Sequence, residues 1–158
     1  MDGQTYLNRV RDSFPAQLLR EAGPDQLIAY EEEFRMEWLA TKLKMTSFVR
    51  YVPAILPQEF EVYSKHCLRE AIRGKRGLPR GLQNGVVSFS VIAADHISPE
   101  VAAFASTRPP KHYSAFEVPI AYDLSTQQAI YYQDTMVWGS LYVPFLKAYI
   151  DRHFAIGE

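Results

Sequence analysis

Acidic and histidine residues in the second half of the chain are candidates for enzyme chemistry. They are Asp95, His96, Glu117 and Asp123. A nuclease site of the restriction-endonuclease type needs an Asp and, on a neighbouring strand, an acid followed two residues later by Lys. The acids hold a divalent metal and the Lys helps to activate water. Here Pro119 stands two residues after Glu117, so Lys111 would have to approach from a loop. A small metal-dependent nuclease is therefore a weak hypothesis, and Asp95 is more simply a turn residue at a strand end.

Other residue types that carry catalysis lack the necessary spacing. The four histidines show no H-x-x-x-H pattern, and three or four metal ligands cannot be assembled around them. Ser140 lies in W-G-S-L-Y and not in G-x-S-x-G, and Cys67 falls on the apolar side of a predicted helix. We therefore expect no metal, no cofactor and no catalytic residue, and we favour a non-enzymatic protein over an enzyme.

A basic, glycine-rich segment is a candidate for nucleic-acid or phosphate binding. Residues 73–81 read R-G-K-R-G-L-P-R-G. Glycines let backbone amides approach a phosphate, and Arg and Lys supply charge. With the preceding helix, the candidate residues are Lys65, Arg69, Arg73, Lys75, Arg76 and Arg80. The segment is neither a Walker loop nor a dinucleotide-binding turn. The alternative is a solvated basic helix end followed by a loop.

Aromatic residues are frequent in the last third of the chain, where a hairpin and a helix are predicted. On alternating strands some of these rings must point away from the core, and tyrosine-rich surfaces suit protein binding. The candidate contact residues for another protein, or for self-association, are Tyr113, Tyr122, Tyr131, Tyr132 and Trp138. The alternative is that helices cover both faces of the sheet.

Helix patterns dominate the first half. Large apolar residues in 27–48 recur at steps of three and four, which predicts one long amphipathic helix, with a short strand at 46–52 left open. Further helices are predicted at 5–12, 13–23 and 57–72.

Strand patterns come later. Residues 86–94 are nearly all apolar or small, as in a central strand covered on both faces. In 116–124, large apolar residues alternate with smaller or polar ones, which predicts a strand with one buried face. Pro119 in this strand indicates an edge or a bulge, because proline has no N–H to donate to a neighbouring strand. The remaining predictions are a short helix at 98–106, a turn at 125–128, a returning strand at 129–133 and a final helix at 140–154.

These elements predict one α+β domain over residues 1–158. Its helical N-terminal half would pack on a small mixed sheet of about three strands, with a C-terminal amphipathic helix. The single cysteine, the absence of a signal-peptide pattern and the absence of a long apolar run predict a cytoplasmic protein without a membrane span.

The preferred function is a non-enzymatic interaction module or complex subunit that binds another protein through the C-terminal aromatic hairpin and helix. The first alternative is nucleic-acid or phosphate binding through residues 65–81. The second is the nuclease-like enzyme around Asp95 and Glu117.

Overall fold

The computed structural model describes residues 1–74, 84–134 and 141–157. Its helices are α1 (Gly3–Ser13), α2 (Pro57–Gly74), α3 (Pro99–Ser106) and α4 (Val143–His153). Its strands are β1 (Leu19–Ala22), β2 (Gln26–Arg35), β3 (Thr41–Tyr51), β4 (Asn84–Ala94), β5 (Ala115–Asp123) and β6 (Gln128–Ile130). Short 3-10 turns lie at Ala16–Leu18 and Met36–Trp38.

Among the described residues, six strands form one open mixed sheet in the order β1-β2-β3-β4-β5-β6. The pairs β3–β4 and β4–β5 are parallel, and the others are antiparallel. Helices and strands interleave along the whole chain. The α+β class is confirmed, but the expected helical N-terminal half on a sheet of about three strands is wrong.

The segment 27–48 is the main correction. It forms the β2–β3 hairpin instead of a helix, with antiparallel register from Gln26 opposite Arg50 to Arg35 opposite Thr41. Steps of three and four describe a helical stripe, but the segment is also rich in aromatic and β-branched residues that suit a pleated surface. Pairing with β4 and β1 then decides the outcome. The helix expected at 13–23 is wrong as well, since it is a 3-10 turn followed by β1.

Several predicted elements are confirmed. The first helix is present with Asp2 as its N-cap, and α3 has Ser98 as its N-cap. The helix that starts at Pro57 extends to Gly74. The β4 strand is buried along its entire length, and the final helix has its proline in the first turn.

Helices lie on both faces of the sheet. Tyr6 and Val10 of α1 and Leu146 and Ile150 of α4 pack on the first face, in one core cluster with Phe89. On the second face, α2 and α3 cover β4 and β5 through Phe60, Val101, Ile92 and Ala121. No helix in the described ranges has the length and apolar character needed to span a membrane.

Pro119 lies at an unpaired part of the β5 edge. Strand β6 pairs only with Ala121 to Asp123. The Leu124 N–H donates to Ala94 of β4, so odd-numbered residues of β5 direct their backbone groups away from β4. The missing N–H of Pro119 therefore removes no bond to β4. The predicted edge holds only locally, because β5 lies between β4 and β6.

Candidate functional site

The predicted enzyme residues lie in two separate places. Asp95 and His96 follow β4 and Asp123 ends β5, so all three lie at the carboxyl edge of the parallel strands. The Tyr51 hydroxyl donates to Asp95 there, at 2.9 Å. Glu117 precedes Asp123 by six positions in β5, which is about 20 Å along a strand. The structure therefore does not bring Glu117 to the other three.

Asp123 is occupied by bonds that close a turn. Its carboxylate accepts backbone N–H groups of Ile97 at 2.9 Å, Ser125 at 2.8 Å and Thr126 at 3.1 Å, and His96 Nδ1 lies 3.1 Å away. Burial by itself would raise the pKa of Asp123, but these hydrogen bonds and that of the Ser125 hydroxyl outweigh it and lower the pKa. In the described part of the chain, no group of three or more His, Cys, Asp or Glu could hold a metal ion.

Glu117 is buried on the second face, beneath α2. Its two carboxylate oxygens contact the Ser64 hydroxyl and His112 Nε2, each at 2.8 Å. The Ser90 hydroxyl donates to Ser64 at 2.9 Å, which extends the network to β4. This network links α2, β4, β5 and the loop before β5, so Glu117 has the partners that a buried carboxylate requires.

Half of the predicted basic site can be located. Lys65, Arg69 and Arg73 are exposed on α2. Lys65 pairs with Glu61 at 2.6 Å, and Arg73 pairs with Glu70 at 2.7 Å. The other predicted members, Lys75, Arg76 and Arg80, lie outside the described residues. Two of the three located bases thus already have a carboxylate partner on their own helix.

The predicted aromatic contact residues have very different exposure. Tyr113 is 72% exposed, and Tyr132 is half-buried with its hydroxyl accepting from Arg108. Tyr122 is fully buried and stacks on Tyr6 at 4.1 Å, and Tyr131 is buried too. Trp138 lies outside the described residues. Neither Tyr122 nor Tyr131 presents the surface that a contact role requires.

A groove beside α2 is a large concave surface of the described residues. It consists of two adjacent hollows of about 570 and 410 Å³ between α2 and the second face of β1–β3. We call it the α2 groove, and its defining residues are Ile28, Tyr30, Thr46, Phe48, Tyr63 and Glu70. Volumes of this order are typical of protein binding sites.

The groove exists because α2 does not lie over the centre of the sheet's second face. Helix α2 packs on β4 and β5 through Ser64, Cys67 and Leu68, and touches β3 mainly at Phe48. Even-numbered residues of β2 face the same side, where Ile28 and Tyr30 are half-buried and Phe34 is 52% exposed. Among the described residues, no helix covers this part of the face.

The groove has an apolar centre and polar margins. Arg20 lies 5.5 Å from the centroid of the Tyr30 ring, in a cation–π position. The Tyr30 hydroxyl donates to Glu32 at 2.8 Å, and Lys42 approaches Glu32 at 3.3 Å. Burial alone would raise the pKa of Glu32, but the hydrogen bonds from Tyr30 and Lys42 lower it. Such a surface could hold an amphipathic ligand through its centre and orient it at the margins.

Tyr63 lies on the α2 wall of the groove, and Cys67, which is fully buried, lies behind that wall. Burial raises the pKa of both side chains, that of Cys67 to about 12. Cys67 is therefore a neutral thiol, as its predicted apolar position implies, and it is no nucleophile.

This groove could not be predicted from the sequence, because the periodicity of 27–48 indicated a helix. On a helix, Tyr30 and Phe34 belong to one buried stripe, but on β2 they face the open side of a sheet. Burial alternates along 26–30 in the structure, since Leu27 and Ala29 are buried and Gln26, Ile28 and Tyr30 are less so. The sequence itself shows no such alternation, because residues 27–30 are all apolar or aromatic.

Comparison of the chain with protein-family models, with curated proteins and with solved structures finds no match in any of the three.

Proposed function

We propose that the protein is a binding module whose α2 groove receives an amphipathic helix from a partner protein. The single observation that carries this proposal is the part of the sheet's second face, over β1–β3, that no described helix covers, beside α2, which covers the other part. This keeps the preferred function from the sequence, protein interaction, but moves the contact surface away from the C-terminal hairpin.

The dimensions of the groove support a helix as the occupant. Three neighbouring strands span about 10 Å from the first to the third, and a helix with its side chains is about 10 to 12 Å wide. The opposite wall, α2, has 18 residues and is about 27 Å long. A second helix beside α2 would complete the helical layer that α2 and α3 begin.

The side chains of the floor also support an amphipathic occupant. Ile28 and Tyr30 supply partly exposed apolar and aromatic area near the centre, over the buried ring of Phe48, and Phe34 continues this area toward the hairpin tip. Aromatic residues contribute large contact area at interfaces. The edge strand β1 has only four residues and an irregular register between Leu19 and Glu21, so strand addition has little edge to use.

The test uses two designed peptides with the length of α2 and the same composition. One has a continuous leucine stripe with a Gln/Ser polar face, and the other is scrambled. We expect the striped peptide to shift the amide NMR signals of Ile28, Tyr30 and Phe48, and the scrambled peptide to have no effect. Tyr30→Ser should weaken binding at least about fivefold, while Tyr113→Ser, a matched change at an exposed tyrosine, should not.

Two results would overturn the proposal. One is an absence of shifts in the groove with the striped peptide at millimolar concentration. The other is a concentration-dependent dimer that Tyr30→Ser dissociates, since the occupant would then be a second copy of the chain.

A further inference from the structure

We infer that the helix received by the α2 groove is acidic, with two carboxylates about two helical turns apart. This inference rests on the proposed function and adds to it the chemical class of the partner. It comes from the charged residues that border the groove on β1, β2, β3 and α2.

Three of the acids at the border already have partners within the protein. Glu32 accepts from Tyr30 and pairs with Lys42, and Glu70 pairs with Arg73. Glu21 of β1 accepts a hydrogen bond from Gln26 at 3.0 Å. These carboxylates are therefore poorly placed to attract a basic partner.

Two arginines at the border remain available. Arg20 is exposed, and its contacts are with the carbonyl of Gln17 and the ring of Tyr30. Arg50 is exposed at the end of β3, opposite Gln26. Neither arginine pairs with a carboxylate in the part of the chain that the structure describes.

The separation of the arginines defines the separation of the partner's acids. Arg20 lies over Tyr30, and Arg50 lies beside Gln26, four residues away on β2. Four strand residues span about 13 Å, and seven or eight helical residues rise about 11 to 12 Å. Acids at positions i and i+7 of a bound helix would therefore reach both guanidinium groups, and arginine suits carboxylates because of its forked donors.

The test compares three striped peptides that differ only at these two positions, with Glu, Gln or Lys. We expect the Glu peptide to bind at least about fivefold more tightly than the Gln peptide, and the Lys peptide to bind most weakly. The difference should shrink at about 0.5 M salt, because screening weakens exposed ion pairs. Arg20→Glu with Arg50→Glu should reverse the order, and Lys111→Glu, a single charge reversal at an exposed site outside the groove, should preserve it.

The outcomes separate this inference from the proposed function. Equal binding of the three peptides overturns the acidic partner and leaves the apolar groove intact. Binding of none of them overturns both. Preferential binding of an oligothymidylate over the Glu peptide also overturns both, since the basic border would then serve a nucleic acid. If the double charge reversal does not fold, Arg20→Gln with Arg50→Gln replaces it and should abolish the preference for Glu.

Discussion

Ser13 Oγ lies 2.8 Å from Nδ1 of His153 and joins the end of α1 to the end of α4. The Ser13 hydroxyl donates its proton to the Val10 carbonyl at 2.7 Å, so it has no second proton to donate to His153. The Ser13 oxygen therefore accepts from the Nδ1–H of His153, which fixes one neutral tautomer. Phe14 stacks on the imidazole at 4.0 Å, and His153 is only 3% exposed.

This buried histidine predicts a loss of stability in mild acid. Burial, with a smaller contribution from Arg152, lowers the pKa of His153 to about 4 from its ordinary 6.5. As the pH falls, His153 is therefore protonated in the unfolded chain before it is protonated in the folded one. The folded state keeps its full stability above about pH 6.5 and loses stability as the pH falls toward 4. We expect a loss of about 3 kcal/mol over this window, measured by urea unfolding at successive pH values.

His153→Gln is the variant that isolates this effect. It should remove most of the pH dependence between about 6.5 and 4, at some cost in overall stability. His66→Gln, a matched change at an exposed histidine on α2, should leave the dependence in place. A wild-type free energy of unfolding that stays constant across the window would contradict the assignment of a neutral, buried His153.

The network around Glu117 predicts a second effect on stability. Ser64→Ala removes a donor to Glu117 and also the acceptor of the Ser90 hydroxyl, all in a site from which water is excluded. A buried polar group without a partner costs about 1 to 3 kcal/mol. We expect the free energy of unfolding to fall by this amount in chemical denaturation. Ser106→Ala, at an exposed position at the end of α3, should change it by less than about 0.5 kcal/mol.

The sequence predicted best where local signals and tertiary context agree. The run at 86–94 has the apolar character of a strand with two covered faces, and β4 has a neighbour on each side and is fully buried. Pro119 indicated a position without a ladder partner, and in the described residues β6 indeed pairs only with a later part of β5, although β5 itself lies between β4 and β6. Ser98 and Pro144 likewise mark helix starts through cap chemistry that does not depend on the rest of the fold.

The prediction for 27–48 is wrong because only the pairing with other strands distinguishes a hairpin from a helix there. The stripe that includes Tyr30, Phe34 and Trp38 satisfies a helical period, and nothing local shows that 41–51 will pair with β4 in parallel register. That pairing brings together residues more than 40 positions apart, such as Lys42 and Asn84. The α2 groove follows from the same pairing, so it could not be predicted before the hairpin was known. Glu117 was considered as an acid of a nuclease-like site with Asp95, but its partners in the structure are Ser64 and His112, which come from other elements.

The tip of the β2–β3 hairpin predicts a stabilising substitution. Leu39 and Ala40 both have positive φ, at 55° and 59°, a region in which a side chain costs about 1 kcal/mol or more relative to glycine. Ala40→Gly should therefore raise the melting temperature by about 2 to 4 °C. Ala103→Gly, at an exposed position inside α3, makes the same chemical change in a helix and should lower it by a similar amount. Equal effects of both variants would show that position 40 is not left-handed in solution.

The thiol of Cys67 should be protected by the native fold. It is fully buried on α2, against Phe48 and Val86, and burial raises its pKa to about 12. Both facts oppose reaction, since only an accessible thiolate attacks a disulfide reagent. Labelling with an aromatic disulfide near pH 8 should therefore be slow in native buffer and rapid in denaturant. Because reaction requires opening of α2 from the sheet, Ser64→Ala should accelerate labelling more than Ser106→Ala does. Fast labelling of the wild type, with no difference between the two variants, would show that α2 does not hold Cys67 in the core.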